Sequence, residues 1–320
     1  NPYGIHRSFT FYGQSFDSEV KWIEFMDQNY PMGSDLLRSW FAKNKIRVKT
    51  SGSTGKPKTI AFKVQQMVES ALATGRFFDM GEGTRALLCL PLDYIAGQMM
   101  LIRAMIPMQL ESNLKYLDRI ENIIVGGAPV SWKLQERIKS LPTRIYATYG
   151  MTETITHIAV KPLNRSARQK ILPGNRSLSN EGYTGLPGVS FDKDERGCLV
   201  VRCPRISDKE IITNDLVELT SENSFIWLGR FDNVINSGGL KLMPETIEKK
   251  FSRCFSGRFF AAGLPDPELG ERLTFVVEGE PETGLLNRLK TCQAQSKGEI
   301  KKNEIPKDIV FLAKFAETDS

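Results

Sequence analysis

The sequence predicts an α/β protein: a large N-terminal layered α/β domain that includes a small β-rich subdomain, and a small C-terminal α+β domain joined to it by a hinge. Three observations predict this. From Ile46 onward short apolar runs alternate with helical patterns, the texture of strands covered by helices. Between Leu186 and Leu228 the texture shifts to short β-type runs, such as Cys198 to Val201 and Phe225 to Leu228, separated by turn residues. Beyond Gly229 it shifts again, to a glycine pair, one helical pattern and two more strands.

In chain order, Ile46 to Lys49 reads as a strand leading into a glycine- and hydroxyl-rich loop. Val64, Met67, Val68, Ala71 and Phe78 then recur near helical spacing. Arg85 to Leu90, Asn122 to Val125 and Arg144 to Ala147 are further strands. The last two run straight into turns, Gly126-Gly127-Ala128-Pro129 and Thr148-Tyr149-Gly150. In the C-terminal part Gly238-Gly239 precedes a helix entered through Pro244, with Ile247, Phe251 and Phe255 on one face, and then the strands Phe259 to Ala262 and Thr274 to Val277. The expected division is residues 1–231 and 232–320, with the hinge at Asp232. Ligands of open α/β sheets gather beyond the carboxyl ends of the strands, so three motifs at strand ends are expected to share one cleft.

Composition narrows the class of ligand. The chain has 320 residues, 41% hydrophobic and 25% charged, with a net charge of +6. Its basic residues are scattered rather than gathered into a stripe, which favours small anionic ligands over a nucleic-acid track. The longest apolar run, around Ala86 to Leu92, is far shorter than the roughly 20 residues of a membrane span. Cys89, Cys198, Cys203, Cys254 and Cys292 lack the close pairing of a zinc or redox motif, and a protein without a secretory leader is expected. They are read as small core hydrophobes of a cytoplasmic protein. No oligomeric state follows from the sequence.

The segment Thr50-Ser51-Gly52-Ser53-Thr54-Gly55-Lys56-Pro57-Lys58 sets four hydroxyls, two glycines and two lysines into nine residues. Such a loop can wrap a polyphosphate: glycines admit close backbone N–H groups, hydroxyls donate and lysines neutralise charge. Its glycines are two residues apart and Pro57 follows Lys56, so it is not a Walker loop. A flexible surface loop is the plain alternative. In Tyr149-Gly150-Met151-Thr152-Glu153-Thr154 a carboxylate follows a strand with a hydroxyl on each side. Glu153 either holds a Mg²⁺ bridging phosphate oxygens or marks a helix start. Asp215, in Thr213-Asn214-Asp215, is a lone acid able to accept both hydroxyls of a ribose. Gly229-Arg230-Phe231-Asp232-Asn233 and Ser237-Gly238-Gly239-Leu240-Lys241 supply a guanidinium for phosphate and a glycine turn, which a β-turn between strands explains equally well.

Taken together and in this order, these motifs, with Pro244-Glu245-Thr246-Ile247-Glu248, resemble the adenylate-forming superfamily of acyl-CoA synthetases, peptide-synthetase adenylation domains and luciferases. Within it the wording around Asn233 and Ser237-Gly238-Gly239, and the short stretch before the phosphate loop, are most similar to the o-succinylbenzoate-CoA ligases of menaquinone biosynthesis. The resemblance implies that Thr50, Ser51, Gly52, Ser53, Thr54, Gly55 and Lys58 clasp the β- and γ-phosphates of ATP, and that Gly127, Ala128 and Pro129 lie along the adenine. It implies that Tyr149, Gly150 and Met151 border adenine and acyl group, Thr152 reaches the α-phosphate and Glu153 the Mg²⁺. Asp215 would take the ribose, Arg230 the ribose and phosphate edge, and Asp232 would be the hinge. Ser237, Gly238, Gly239 and Lys241 would serve the step with CoA, and Tyr94 and His157 would border the acyl pocket; a solvated Lys241 and a structural His157 are the plain alternatives. The implied reaction is ATP-dependent formation of an acyl-AMP and transfer of the acyl group to CoA. Transfer to a carrier protein, or nucleotide binding without catalysis, are the alternatives.

The chain departs from the family pattern in three places. Tyr94 stands where a histidine is common, the stretch from Gly97 to Gly126 is short, and the family's late catalytic lysine is not reached by Ala316-Glu317-Thr318-Asp319-Ser320, so it is expected beyond Ser320.

Overall fold

The computed structural model describes residues 4–42, 45–49, 59–81, 83–105, 109–111, 120–127, 130–172, 176–178, 181–255 and 257–316. The chain opens with two short strands, β1 (Thr10–Phe11) and β2 (Gln14–Ser15), and two helices, α1 (Glu19–Asn29) and α2 (Pro31–Phe41). Ser18 caps α1 by accepting from the Lys21 N–H, and Pro31 opens α2, where its missing N–H costs nothing. Strands β3 (Ile46–Lys49) and β4 (Thr59–Phe62) pair antiparallel. The sequence pattern anticipated the first strand and not the second. Helix α3 (Val64–Phe78) follows, then β5 (Arg85–Leu87), α4 (Ile95–Met105) and β6 (Gln109–Glu111). β5 stops three residues short of the expected Leu90.

Next come β7 (Asn122–Val125), α5 (Trp132–Ile138), β8 (Arg144–Gly150), β9 (His157–Pro162), α6 (Arg165–Arg168), β10 (Ile171–Leu172), β11 (Arg176–Ser177), β12 (Tyr183–Gly185), β13 (Ser190–Lys193), β14 (Cys198–Arg202), β15 (Ile211–Ser221) and β16 (Ser224–Arg230). Eight of these form one sheet in the order β13-β14-β15-β16-β12-β9-β8-β7. The β-rich region is thus the antiparallel end of the large sheet, and β7 and β8 are its parallel end. Phe77 and Phe78 of α3 meet Tyr146 of β8 edge-on, with centroids 6.2 and 5.3 Å apart, and fix the helix on one sheet face.

Beyond a 3₁₀ turn at Phe231–Asn233 lie β17 (Ile235–Ser237), β18 (Leu240–Leu242), α7 (Pro244–Phe251), β19 (Phe259–Asp266), β20 (Gly270–Glu278), α8 (Leu285–Gln295) and β21 (Asp308–Leu312). The sheet order is β18-β17-β20-β19, with β21 parallel to β20. Ile235, Leu242, Ile247, Phe251, Phe275 and Leu289 belong to an apolar core of their own, distinct from the cluster built on α1 to α4 and the large sheet. Phe255 lies past the end of α7, yet it is buried in that same core.

The cysteines depart from the expectation. Cys198 and Cys203 are buried and Cys89 is exposed, but Cys254 and Cys292 form a disulfide that ties the segment after α7 to α8. A pairing across 38 residues leaves no trace in local spacing. Among the described residues, no helix is long and apolar enough to cross a membrane.

Candidate functional site

β7 and β8 run parallel, so Gly126-Gly127 and the motif after Tyr149 emerge at the same edge of the sheet. β8 continues to Gly150, three residues beyond the strand expected, because β9 stays paired with it as far as His157. A Cβ at Gly150 would stand 2.2 Å from the Thr156 carbonyl oxygen and 2.6 Å from the His157 Cα. Backbone cannot yield there, so only glycine allows this approach.

The motif then tightens into a 3₁₀ turn, Thr152–Thr154. The buried Thr154 hydroxyl accepts from the Met151 N–H at 2.9 Å and donates to the Thr156 carbonyl at 2.7 Å. Ile155, fully buried, has φ 67°, a strained value for a β-branched side chain, and the Thr156 N–H closes a γ-turn onto the Thr154 carbonyl at 2.7 Å. Such strain persists only where the surroundings over-determine it. The bend leaves Thr152 half-buried and the Glu153 carboxylate exposed. No cluster of three metal-ligating side chains occurs among the described residues. A lone free carboxylate fits Mg²⁺, which keeps waters and is commonly held by one or two carboxylates together with substrate phosphates.

Asp215, on β15, is 7% exposed and carries the densest contacts of the site. The Tyr149 hydroxyl donates to its Oδ2 at 2.6 Å, and the Trp227 Nε1–H donates to its Oδ1 at 3.1 Å. The Tyr149 hydroxyl thus joins the end of β8 to β15, although other strands separate the two in the sheet order. Tyr149 packs on Tyr183 and Phe225, with centroids 5.7 and 5.1 Å away. Burial, and next the Asp215 charge, push the Tyr149 phenol far above its usual range, so it remains a donor. Arg230 Nη1 lies 3.8 Å from Asp215, and its Nη2 donates to Asp232 at 2.9 Å. The Asn214 amide completes the chain by donating to both Asp232 oxygens at 3.3 and 3.2 Å.

The segment from Leu228 to Asn233 is held from its other side by Glu245 and Thr246, which the motif wording included without assigning them a role. Glu245 Oε1 accepts from the Arg230 N–H at 3.3 Å and from Asn233 Nδ2 at 2.6 Å, and the Thr246 hydroxyl donates to the Leu228 carbonyl at 2.6 Å. Gly238 and Gly239, with φ 57° and 78°, are the central residues of the two-residue hairpin between β17 and β18. A type I′ turn demands that pair. Ser237 ends β17, and the exposed Lys241 lies on β18 opposite Asn236. This hairpin shares no hydrogen bond with the Asp215 group among the described residues. The phosphate loop, with Thr50, Ser51, Gly52, Ser53, Thr54, Gly55 and Lys58, and the adenine-side Ala128 and Pro129 lie outside the described residues.

Tyr94 is 52% exposed just before α4, whereas His157 is buried between α3, α4 and β9. There it meets Arg103, a residue the motif reading did not single out. Arg103 Nε donates to the Thr74 hydroxyl at 3.3 Å and Nη2 to the Thr156 hydroxyl at 3.1 Å. His157 Nε2 is 3.3 Å from Thr74 Oγ1, and its Nδ1 is 3.4 Å from Thr156 Oγ1. Thr74 donates to the Ser70 carbonyl, so the tautomer that satisfies every group carries the proton on Nε2. Arg103 is 4% exposed and pairs with no carboxylate among the described residues, and burial pulls its pKa down to about 10. It remains a cation at neutral pH. A lone basic residue among Met99, Leu101, Ile102, Ala104 and Met105 was the sequence signal for it.

Burial, with the Arg103 charge second, holds the His157 imidazole well below its usual pKa. The unfolded chain takes up that proton near pH 6.5, so the folded state, which does not, loses about 1.4 kcal/mol of stability per pH unit below that value. Urea unfolding at pH values between about 7 and 5.5 should show this slope in the native chain and a shallower one in His157→Gln. Equal slopes would show that His157 titrates normally in the fold.

No family model matches the chain. An AMP-forming acyl-CoA synthetase/AMP-acid ligase II-like protein from Dyadobacter fermentans is 34% identical to it, with a TM-score of 0.55 over 90% of each chain. The 2-succinylbenzoate–CoA ligase of Listeria monocytogenes is 24% identical over 330 residues, which cover 89% of this chain and 70% of that enzyme. The o-succinylbenzoate CoA synthetase of Bacillus subtilis, in complex with its acyl-adenylate intermediate, shares the fold with a TM-score of 0.64 at 20% identity, across 84% of this chain and 66% of its own. The chain spans between 51% and 73% of the lengths of the curated 2-succinylbenzoate–CoA ligases it matches.

Proposed function

The chain belongs to the AMP-forming acyl-CoA synthetase family, and from that premise we propose that it joins a carboxylic acid to coenzyme A through an acyl-AMP, with o-succinylbenzoate as the acid. The observation that carries this reading is the run of contacts from Tyr149 through Asp215 and Arg230 to Asp232, which joins the strand-end motif to the hinge.

In the first step a carboxylate oxygen of the acid attacks the α-phosphorus of ATP, the bond from that phosphorus to the bridging oxygen breaks, and pyrophosphate leaves. Residues Thr50 to Gly55 and Lys58 would cradle the departing phosphates. Glu153 would hold Mg²⁺, which when bound supplies charge stabilisation at the phosphate oxygens. The Thr152 hydroxyl would donate to the α-phosphate, and Asp215 would accept from the ribose hydroxyls. Gly127, Ala128, Pro129 and the Tyr149-Gly150-Met151 strand end would line the adenine. In the second step the CoA thiolate attacks the acyl carbonyl and AMP leaves. Residues 232–320 would turn about Asp232 between the steps, presenting Ser237, Gly238, Gly239 and Lys241 to CoA. The mixed anhydride must be kept from water meanwhile, a physical reason for a domain that closes.

Arg103 supports the choice of acid. 2-Succinylbenzoate has two carboxylates, of which one is activated and the other needs a cation. A buried guanidinium with no carboxylate partner among the described residues is the group that a second substrate carboxylate would neutralise.

The test is incubation with ATP, Mg²⁺, o-succinylbenzoate and either CoA or a phosphopantetheinyl carrier protein, with mass spectrometry of the products. The expected products are the acyl-AMP and, with CoA, the thioester. A product formed on the carrier alone would replace the CoA reading, and silence across a panel of carboxylic acids would favour a nucleotide-binding protein without this chemistry.

A further inference from the structure

Asp215 is held by more donors than its place on a strand would supply. Its two carboxylate oxygens carry about four acceptor sites in all. Trp227 Nε1–H occupies one on Oδ1, and the Tyr149 hydroxyl occupies one on Oδ2. One site on each oxygen is left, a pair suited to the vicinal cis hydroxyls of a ribose. Arg230 at 3.8 Å is too far to hydrogen-bond and contributes charge alone.

The two donors are themselves held in place. Trp227 faces Val217 across the β15–β16 ladder, and both it and Tyr149 pack against the main apolar core. With one rigid aromatic donor on each oxygen, rotation of the carboxylate about its last bond breaks at least one hydrogen bond. A carboxylate frozen before the ligand arrives loses little entropy on binding.

We propose that Trp227 is a positioning residue for the nucleotide: its indole N–H, acting with the Tyr149 hydroxyl, fixes the Asp215 carboxylate so that the free acceptor sites of both oxygens meet the ribose 2′- and 3′-hydroxyls. This rests on the ribose reading of Asp215 given above, and it assigns to Trp227 a role that touches neither substrate nor metal.

The test compares AMP with 2′,3′-dideoxy-AMP by calorimetric titration of the full chain. The native protein is expected to prefer AMP by roughly tenfold or more, since hydrogen bonds to a charged group are of that strength. Asp215→Asn should remove the preference. Trp227→Phe should reduce it to within about threefold of unity while the dideoxy-AMP affinity holds, a split that general loosening of the site would not produce. A Trp227→Phe chain that keeps the native ratio, even with both affinities lowered together, overturns the proposal and leaves the ribose reading standing. A native protein that binds both nucleotides equally overturns the ribose reading, and the proposal with it. Should Trp227→Phe fail to fold, replacing Trp227 with 3-benzothienylalanine keeps the ring and deletes only the N–H, and the same two outcomes decide.

Discussion

Glu153→Ala is expected to lower acid-dependent pyrophosphate release by about 100-fold, within the range found when one group stabilising transition-state charge is removed. Glu153 is exposed, ends in no ion pair among the described residues and lies in a turn whose side-chain bonds are made by Thr154, so its truncation should leave the fold intact. The loss should therefore lie in the chemistry. Raising Mg²⁺ should recover part of it, and binding of AMP alone, which needs no metal, should be unchanged. Pyrophosphate release measured across a Mg²⁺ series checks both points. Full activity in the variant would remove the metal role from Glu153, and an equal loss of AMP binding would assign it to the nucleotide instead.

Arg103→Met should separate stability from function. A buried charge with no counter-ion among the described residues is costly to the fold, so an apolar side chain of similar length should leave the melting temperature unchanged or raise it. The same change removes the cation proposed for a second substrate carboxylate. Two charge-assisted hydrogen bonds are together worth about 3 kcal/mol, so kcat/KM for o-succinylbenzoate should fall by about 100-fold. A monocarboxylic acid that the enzyme accepts should lose little. Arg103→Lys should restore part of the diacid activity, as a point charge without the guanidinium fork. Steady-state kinetics on a matched diacid and monoacid, with thermal melts, decides. A variant that melts much lower and loses both acids alike would make Arg103 a structural residue, bonded to Thr74 and Thr156 for packing alone.

Much of this molecule could be read along the chain. The strands Ile46–Lys49 and Asn122–Val125, all but the last residue of Cys198–Arg202, and the helix Val64–Phe78 announce themselves by local pattern, which depends only on neighbours a few residues apart. The residue types of the site were equally legible. Gly150, Thr152, Glu153, Asp215 and Arg230 stand in fixed local wording, and the glycine pair at Gly238-Gly239 predicts its own turn. Where β8 ended was not legible, because β9 and not the local residues carries it on to Gly150.

The meeting of those parts belongs to the tertiary structure. Tyr149 reaches Asp215 across 66 residues of chain, and Arg103 reaches Thr156 across 53. Neither contact leaves a mark on local spacing. Trp227 reads in sequence as one more aromatic of a strand, and its N–H acquires meaning only once the pairing of β15 with β16 sets it diagonally across from the Asp215 carboxylate. Cys254 and Cys292 read as separate core residues and are in fact paired. The sequence by itself determined which chemical groups this protein possesses and which short segments carry them, because both are properties of neighbouring residues. Only the tertiary structure decided that a tyrosine and a tryptophan hold the aspartate and that an arginine lies buried with no carboxylate partner among the described residues, because the aim of a side chain depends on backbone placed by more distant parts of the chain.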